Sequence, residues 1–173
     1  MPRYAALLRA INVGGHVVTM DRLRGLVFAG GFTNVETVIA SGNVLFDAAG
    51  DDAAGHERDI ERLLQQGLGY PVATFVRSPG ELAALATMTP FGPEDGRTIN
   101  VTFLRKPPDA AYVERLLSFR SDLDDFLVLG RESWWACRGR ASDSPYGKVR
   151  PDTRTPGTTR NLTTVRKLAA RLA

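Results

Sequence analysis

Short apolar runs alternate with segments of helical periodicity along the first half of the chain. Four runs have the length of strands, namely residues 3–9, 35–39, 43–46 and 72–77. Between the first two runs, apolar residues recur at helical spacing after Thr19, a typical helix N-cap. Between the last two runs, Ile60, Leu63 and Leu64 predict a second helix. The resulting order βαββαβ indicates a ferredoxin-like subdomain over residues 1–77.

The second half, residues 78–173, mixes helices and strands in a different order. The segment Ser78–Glu81 has a capping-box pattern that predicts a helix start. After one alternating strand pattern and another helix, two apolar runs flank Gly130–Arg131 and predict an antiparallel hairpin. Residues 139–157 are rich in Pro, Gly and Ser, which predicts a loop, and a final helix is predicted from Asn161 to Leu172. The chain is therefore predicted to have an α+β fold with a second small α/β subdomain.

Two polar turns directly follow predicted strands, Arg9–Gly15 after the first and Ser41–Asn43 between the second and third. In a βαββαβ sheet the first two strands run parallel and the third runs back beside them, so both turns are expected at the same edge. The candidate ligand-binding residues there are Arg9, Asn12, Gly14, Gly15, Ser41 and Asn43. Small residues leave backbone N–H groups accessible to an anion. Ordinary turn chemistry is the alternative, and it explains the glycines better than it explains the charged Arg9.

The net charge of +3 is unevenly distributed along the chain. Residues 1–137 contain 13 Lys or Arg and 17 Asp or Glu, whereas residues 138–173 contain 9 Lys or Arg and 2 Asp. Such a basic region is compatible with phosphate or nucleic-acid contact, and equally with a solvated surface. Arg160 and Asn161 at the predicted helix start are further candidates, because helix N-termini favour anions, with capping as the alternative. Arg131, in the predicted hairpin turn, would add charge.

Common catalytic patterns are missing from the sequence. Neither a P-loop nor a dinucleotide-binding fingerprint occurs. The two histidines, His16 and His56, and the single Cys137 have no metal-site spacing, so no metal site is predicted and no cofactor can be assigned. His16 as a base for Ser41 is a minor alternative, and no catalytic residue is assigned. The aromatic motif of RNA-recognition domains is absent from the third strand, which argues against a sequence-reading RNA domain.

Burial and localisation are also predicted from the pattern. Cys137 lies in a strand pattern and is expected to be a buried small hydrophobe, and one cysteine excludes an intrachain disulfide. Of the adjacent Trp134 and Trp135, one is expected in the core. The other is expected beneath the loop or the last helix, and the alternative is that it is available for stacking or for an interface. The carboxylates within Asp122–Asp125 are expected to be solvated. Without a membrane-length apolar run or a signal-peptide pattern, we expect a soluble cytoplasmic protein with no membrane contact.

Several motifs together carry a resemblance to a known family. They are Leu7–Gly15, Met20–Leu23, Ser41–Val44, Gly130–Glu132 and Thr159–Val165. In these motifs the chain resembles the bacterial family catalogued as domain of unknown function 1697. The resemblance implies a two-part α/β fold whose first part is ferredoxin-like, and it implies no activity because that family is uncharacterised. The chain departs from the family pattern at Leu162, where the family often has Trp, and at Tyr146–Val149.

Three functions are compatible with these observations. The first is a binding module for a phosphate-bearing ligand, either a nucleotide or a nucleic-acid backbone, with charge supplied by Arg9, Arg131 and Arg160. The second is an enzyme that acts on a small anionic metabolite by positioning and charge stabilisation. The third is a protein–protein interaction module that uses an exposed Trp and the basic C-terminal region. The polar edge favours the binding module, and the pattern specifies no oligomeric state.

Overall fold

The chain divides into two compact units. The computed structural model describes residues 1–12, 14–39 and 42–173. Unit 1 comprises Met1–Ala86 together with Arg166–Ala173, and unit 2 comprises Thr87–Val165. The described residues form five α-helices and two four-stranded antiparallel sheets, one in each unit. The predicted α+β class is confirmed, whereas the division into folding domains after residue 77 stays a prediction.

Unit 1 contains the predicted order of strands and helices. Its elements are β1 (Arg3–Leu8), α1 (Met20–Ala29), β2 (Thr33–Thr37), β3 (Asn43–Asp47), α2 (Ala53–Leu68), β4 (Thr74–Arg77) and α3 (Pro79–Thr87). The strand order in the sheet is β2-β3-β1-β4, and every neighbouring pair is antiparallel. The strands β1 and β2 therefore run in the same direction with β3 between them.

The predicted helix starts of unit 1 are confirmed by their hydrogen bonds. The hydroxyl oxygen of Thr19 accepts a hydrogen bond from the backbone N–H of Arg22 at 3.2 Å, which caps α1. At the start of α3, the N–H of Ser78 donates to the carboxylate of Glu81 at 2.9 Å. The N–H of Glu81 donates in return to the hydroxyl of Ser78 at 3.2 Å, which completes a capping box.

The core of unit 1 lies between its sheet and the first two helices. The helices α1 and α2 pack on each other, α1 also packs on β2, and α2 packs on β4. The fully buried members of this core include Ala6, Leu23, Val27, Val44, Phe46, Ile60 and Leu64. Ala5 and Leu7, which point to the opposite face of β1, are also completely buried. Because both faces of β1 are buried, the loop that follows this strand starts from a fixed backbone.

Unit 2 is built on a second antiparallel sheet of order β6-β7-β5-β8. Its elements are β5 (Arg97–Phe103), α4 (Ala110–Leu117), β6 (Asp124–Leu129), β7 (Glu132–Arg138), β8 (Thr158–Asn161) and the start of α5 (Leu162–Leu172). The predicted hairpin is confirmed, because Leu129 pairs with Glu132 across Gly130–Arg131. Helix α4 packs on β6.

The segment before the last helix differs from the prediction. The sequence places Arg160 and Asn161 at the start of the last helix, but Thr158–Asn161 form β8, and the helix begins at Leu162. The reason is pairing with the free edge of β5, where Asn100 lies opposite Asn161. Gly157 brings the chain against β5, since a Cβ atom there would be 2.7 Å from Cγ2 of Thr102. A strand of four residues has too little pattern to be recognised in the sequence.

The loop predicted over residues 139–157, called the flap from here on, covers part of the sheet of unit 2. It contains two short 3₁₀ turns, Ala141–Asp143 and Tyr146–Lys148. The ring of Tyr146 packs on Trp135 with 4.9 Å between the ring centroids, while Trp134 is completely buried on the other face of β7. The prediction of one core tryptophan and one covered tryptophan is therefore confirmed.

Candidate functional site

The two polar turns of unit 1 meet at one edge of its sheet. Leu7 pairs with Asn43, and the N–H of Leu8 donates to the carbonyl of Gly42 at 2.7 Å. Gly42 has a φ of +82°, and a Cβ atom there would lie 3.1 Å from Cβ of Leu8, so a side chain would crowd the first turn. Ser41, which was predicted to belong to this edge, lies outside the described residues.

The amide side chains of this edge serve the backbone. Oδ1 of Asn12 accepts a hydrogen bond from the N–H of Val18 at 2.8 Å and so closes the loop after β1. Asn43 is 1% exposed, and its Nδ2 donates to the carbonyl of Val38 at 3.1 Å within the β2–β3 hairpin. Both residues therefore have the turn role that was the alternative interpretation of the sequence.

The loop after β1, residues 9–18, is called the glycine loop, and Val13 within it lies outside the described residues. Tyr70 stabilises this loop, because its hydroxyl donates a hydrogen bond to the carbonyl oxygen of Ile11 at 3.1 Å. The imidazole of His16 stacks on the ring of Tyr70 with 3.9 Å between centroids. Whether His16 acts as a base for Ser41 stays a prediction, because Ser41 lies outside the described residues.

The exposed part of the glycine loop presents unused hydrogen-bond donors. Gly14 and Gly15 have φ values of +62° and +83°, and a Cβ atom at either position would meet nothing within 4 Å. Within the part of the chain that the structure describes, their N–H groups have no acceptor. The same holds for the half-buried guanidinium of Arg9. These donors can therefore bond an external anion without breaking a bond inside the described protein.

Three predicted residues lie in unit 2 and have local roles there. Arg160 is half-buried in β8, donates to the hydroxyl of Thr158 at 2.8 Å, and has its pKa lowered to about 10 by burial. Oδ1 of Asn161 accepts from the N–H of Thr164 at 2.8 Å, which is the capping alternative. Arg131 donates through Nη1 to the carbonyl of Arg105 at 3.5 Å.

Unit 2 contains a cleft of about 670 Å³ that the sequence did not predict, and Arg105 is one of its lining residues. One wall is formed by the segment from Arg105 to Tyr112, which includes the turn before α4 and the first residues of that helix. The other wall is the flap segment from Asp152 to Pro156, which belongs to the same unit. These walls are at least 40 residues apart in sequence, so no local motif joins them. A basic pair followed by two prolines, Arg105–Pro108, is the signal that could have drawn attention to it.

The acidic cluster of unit 2 also differs from the prediction. Asp124 is only 3% exposed and accepts hydrogen bonds from Nε1 of Trp135 at 2.7 Å and from Oγ of Ser144 at 2.8 Å. Cys137 is buried in β7 as predicted, and burial raises the pKa of its thiol, with the nearby Asp124 acting in the same direction. Asp125 remains exposed and pairs with Arg120 at 3.0 Å. Asp124 therefore joins the flap to the sheet instead of facing solvent.

In the described ranges, no cluster of three or more His, Cys, Asp or Glu side chains could hold a metal ion. No helix within those ranges is both long enough and apolar enough to span a bilayer.

The fold defines an α+β protein built on two four-stranded antiparallel sheets. The model of the family described as "Protein of unknown function (DUF1697)" matches residues 1–134, and the chain belongs to this family. The resemblance seen in the sequence motifs is thereby confirmed. The chain is also similar to the solved structure of the conserved bacterial protein SP0830 from Streptococcus pneumoniae, with 25% identity and a TM-score of 0.77 over 99% of each chain. None of the curated proteins matches it significantly.

Proposed function

We propose that this protein is a binding module and that its glycine loop binds the phosphate group of a nucleotide or of another small phosphate ester. The observation that carries the proposal is the set of donors without acceptors in the described residues, namely the N–H groups of Gly14 and Gly15 and the guanidinium of Arg9. An exposed donor without a protein acceptor is hydrated in the absence of a ligand. A phosphate oxygen replaces that water with charge-assisted hydrogen bonds, which are roughly twice as strong as neutral ones.

The glycine loop is organised before any ligand arrives, which supports the proposal. The bond from Val18 to Asn12 closes the loop, and the bond from Tyr70 to Ile11 fixes its first half. A preformed loop loses little conformational entropy on binding, so more of the interaction energy is available for affinity.

Backbone strain at the same edge also supports the proposal. Ala10 has a φ of +48° and Ile39, in the neighbouring turn, has a φ of +54°. A β-branched residue rarely adopts positive φ, and such a conformation costs about 1–3 kcal/mol. Strained residues of this kind concentrate at functional sites, and here one lies in the glycine loop and the other in the turn between β2 and β3.

We propose further that unit 1 has the ferredoxin-like arrangement. The element order βαββαβ and the antiparallel sheet order β2-β3-β1-β4 support it. In this arrangement the loop after β1 and the β2–β3 turn share one edge, as functional loops on a rigid sheet often do. The proposal does not use Arg160 and Asn161, whose hydrogen bonds given above are local to unit 2.

The proposal is tested by titrating the ¹⁵N-labelled protein with adenosine monophosphate and, separately, with inorganic phosphate. We expect the amide resonances of Gly14 and Gly15 to shift in a saturable way with both ligands. Replacing Arg9 with glutamine should raise the Kd for adenosine monophosphate about three- to ten-fold, because one charged donor is lost. The matched control is Arg58→Gln, which removes an arginine whose side chain is 68% exposed on α2 and should leave the Kd unchanged.

Two outcomes would contradict the proposal. The first is the absence of a shift at both glycine amides when ligand is in the millimolar range. The second is an Arg9→Gln variant that binds as the Arg58→Gln control does. Preferential binding of a single-stranded oligonucleotide over the mononucleotide would replace the small ligand with a nucleic-acid backbone, whose affinity falls steeply with salt.

A further inference from the structure

We infer that the cleft of unit 2 is a second binding site, which takes a small organic anion with a flat apolar body, such as an aryl phosphate or an aryl carboxylate. The cleft is formed by residues of unit 2 and the glycine loop by residues of unit 1, and the inference does not depend on the function proposed for that loop. The volume of about 670 Å³ lies within the range of small-molecule pockets, which is about 300–1,000 Å³.

The walls of the cleft supply the apolar body of the site. Pro107, Pro108 and Tyr112 line one side, and Pro156 lines the side formed by the flap. Proline and tyrosine rings present rigid apolar surfaces that an aromatic or aliphatic ring can cover. Covering such a surface removes apolar area from water, which favours binding by about 25 cal/mol for each Å².

Both walls are held in place by bonds that do not involve a ligand. The hydroxyl of Tyr112 lies 3.1 Å from the hydroxyl oxygen of Ser133, and burial raises the pKa of this phenol. On the other wall, the carboxylate of Asp152 lies 3.7 Å from the guanidinium of Arg115 on α4. The close packing of Gly157 on β5 fixes the end of the flap. The cleft is therefore preformed, so binding does not require the walls to order.

The charges in the cleft select an anion. Its two carboxylates are already engaged. Oδ1 of Asp109 accepts a hydrogen bond from the backbone N–H of Tyr112 at 2.9 Å and so caps α4. The N–H of Arg154 donates to Asp152 at 2.8 Å and holds the pKa of that carboxyl below its usual value, an effect that nearby arginines strengthen. The ammonium group of Lys106, by contrast, has no hydrogen bond or ion pair within the described residues. Lys106 therefore offers an ammonium group without a partner among the described residues, whereas both carboxylates of the cleft already accept hydrogen bonds.

The chemical class follows from this combination. An anion without an apolar body would leave the proline and tyrosine walls exposed to water, and a neutral ring would leave Lys106 without a counter-charge. A ligand that has both parts satisfies the cationic rim and the apolar walls together. The phosphate and the carboxylate forms share this chemistry, and comparing 1-naphthyl phosphate with 1-naphthoate distinguishes them.

The test is an NMR titration of the full-length protein with 1-naphthyl phosphate, with inorganic phosphate and 1-naphthoate as comparison ligands. We expect saturable shifts of the amides of Ala111 and Tyr112 with both naphthyl compounds and not with inorganic phosphate. The Lys106→Ala variant should raise the Kd for 1-naphthyl phosphate about three- to ten-fold. The matched control is Lys148→Ala, since Lys148 is an exposed lysine of the same unit that does not line the cleft.

A second pair of variants tests the cavity itself. Ala111→Trp places a large ring in the cleft from an exposed helix position and should abolish binding. Glu114→Trp, on the same helix but outside the cleft, should bind normally. Circular dichroism of each variant confirms that it is folded. The inference is overturned if 1-naphthyl phosphate leaves the cleft amides unshifted, or if Lys106→Ala and Lys148→Ala bind equally well. Shifts confined to Gly14 and Gly15 would also overturn it, while leaving the proposed glycine-loop site intact.

Discussion

Replacing Asp124 with alanine should release the flap from the sheet of unit 2. The Asp124 carboxylate is 3% exposed, and it accepts hydrogen bonds from Trp135 on β7 and from Ser144 in the flap. Oγ of Ser144 in turn accepts the N–H of Tyr146 at 3.0 Å. One carboxylate therefore connects the sheet to the first 3₁₀ turn of the flap and, through Ser144, to the second.

The loss of stability in Asp124→Ala depends on the hydrogen-bond donors that are left without an acceptor. A hydrogen bond to a charged group contributes about 1.5–3 kcal/mol, and Asp124→Ala removes the acceptor of the bonds from Trp135 and Ser144, together with that of a longer bond of 3.4 Å from the hydroxyl of Ser121. The indole N–H of Trp135 regains water once the flap lifts, so its loss is partly recovered. Ser144 is 1% exposed and regains water only if the flap opens. We therefore expect the free energy of unfolding of unit 2 to fall by about 3 kcal/mol.

The assay combines urea unfolding, followed by circular dichroism, with limited trypsin digestion. The flap contains Arg140 and Lys148, so its release should speed cleavage at these residues. The matched control is Asp125→Ala, the neighbouring residue, whose side chain is 52% exposed in its ion pair with Arg120. Exposed ion pairs contribute about 0–1 kcal/mol, so this control should unfold almost as the parent does. Equal unfolding curves for Asp124→Ala and Asp125→Ala, with unchanged trypsin cleavage, would refute the reasoning.

Two further predictions concern unit 2. Burial raises the pKa of the Tyr146 phenol to about 12 from an ordinary value of 10.0, so this group stabilises the fold below pH 10 and loses its contribution as the pH rises to about 12. Urea midpoints measured across that range should fall less steeply in Tyr146→Phe, and equal slopes would contradict the prediction. Gly157→Ala should destabilise by about 1–3 kcal/mol, because its Cβ would lie 2.7 Å from Thr102. Gly80→Ala, where a Cβ meets nothing within 4 Å, should be neutral or stabilising, and a similar thermal shift for both would refute the steric argument.

Local chemistry explains why much of the fold could be predicted from the sequence. The cap at Thr19 and the capping box of Ser78 and Glu81 join residues three positions apart. Both partners of each hydrogen bond therefore lie within one short sequence pattern. The strand β8 was missed because its stability comes from pairing with β5, about 60 residues earlier, and not from its own four residues. Tertiary pairing of this kind overrides local propensity.

The candidate sites show the same distinction. Pattern reasoning brought the turns of Arg9 and Gly42 to one edge, because strand order follows from the βαββαβ topology. It could not tell whether Asn12 and Asn43 serve a ligand or the backbone, since both uses require the same side chain in the same turn. It placed Asp124 in solvent because its partners, Trp135 and Ser144, are 11 and 20 residues away. The cleft was missed for a similar reason, because its two walls are at least 40 residues apart in sequence.

The neighbouring tryptophans of β7 give the protein an optical reporter with an internal reference. Trp134 is completely buried, and its indole N–H has no hydrogen-bond partner within the described residues, so its emission should stay blue in the folded state. Trp135 lies under Tyr146 and donates to Asp124, so its emission should move to longer wavelength when the flap lifts. These are the two tryptophans of the chain, and a red shift that leaves the blue component in place would therefore measure flap opening in the native protein, without any label.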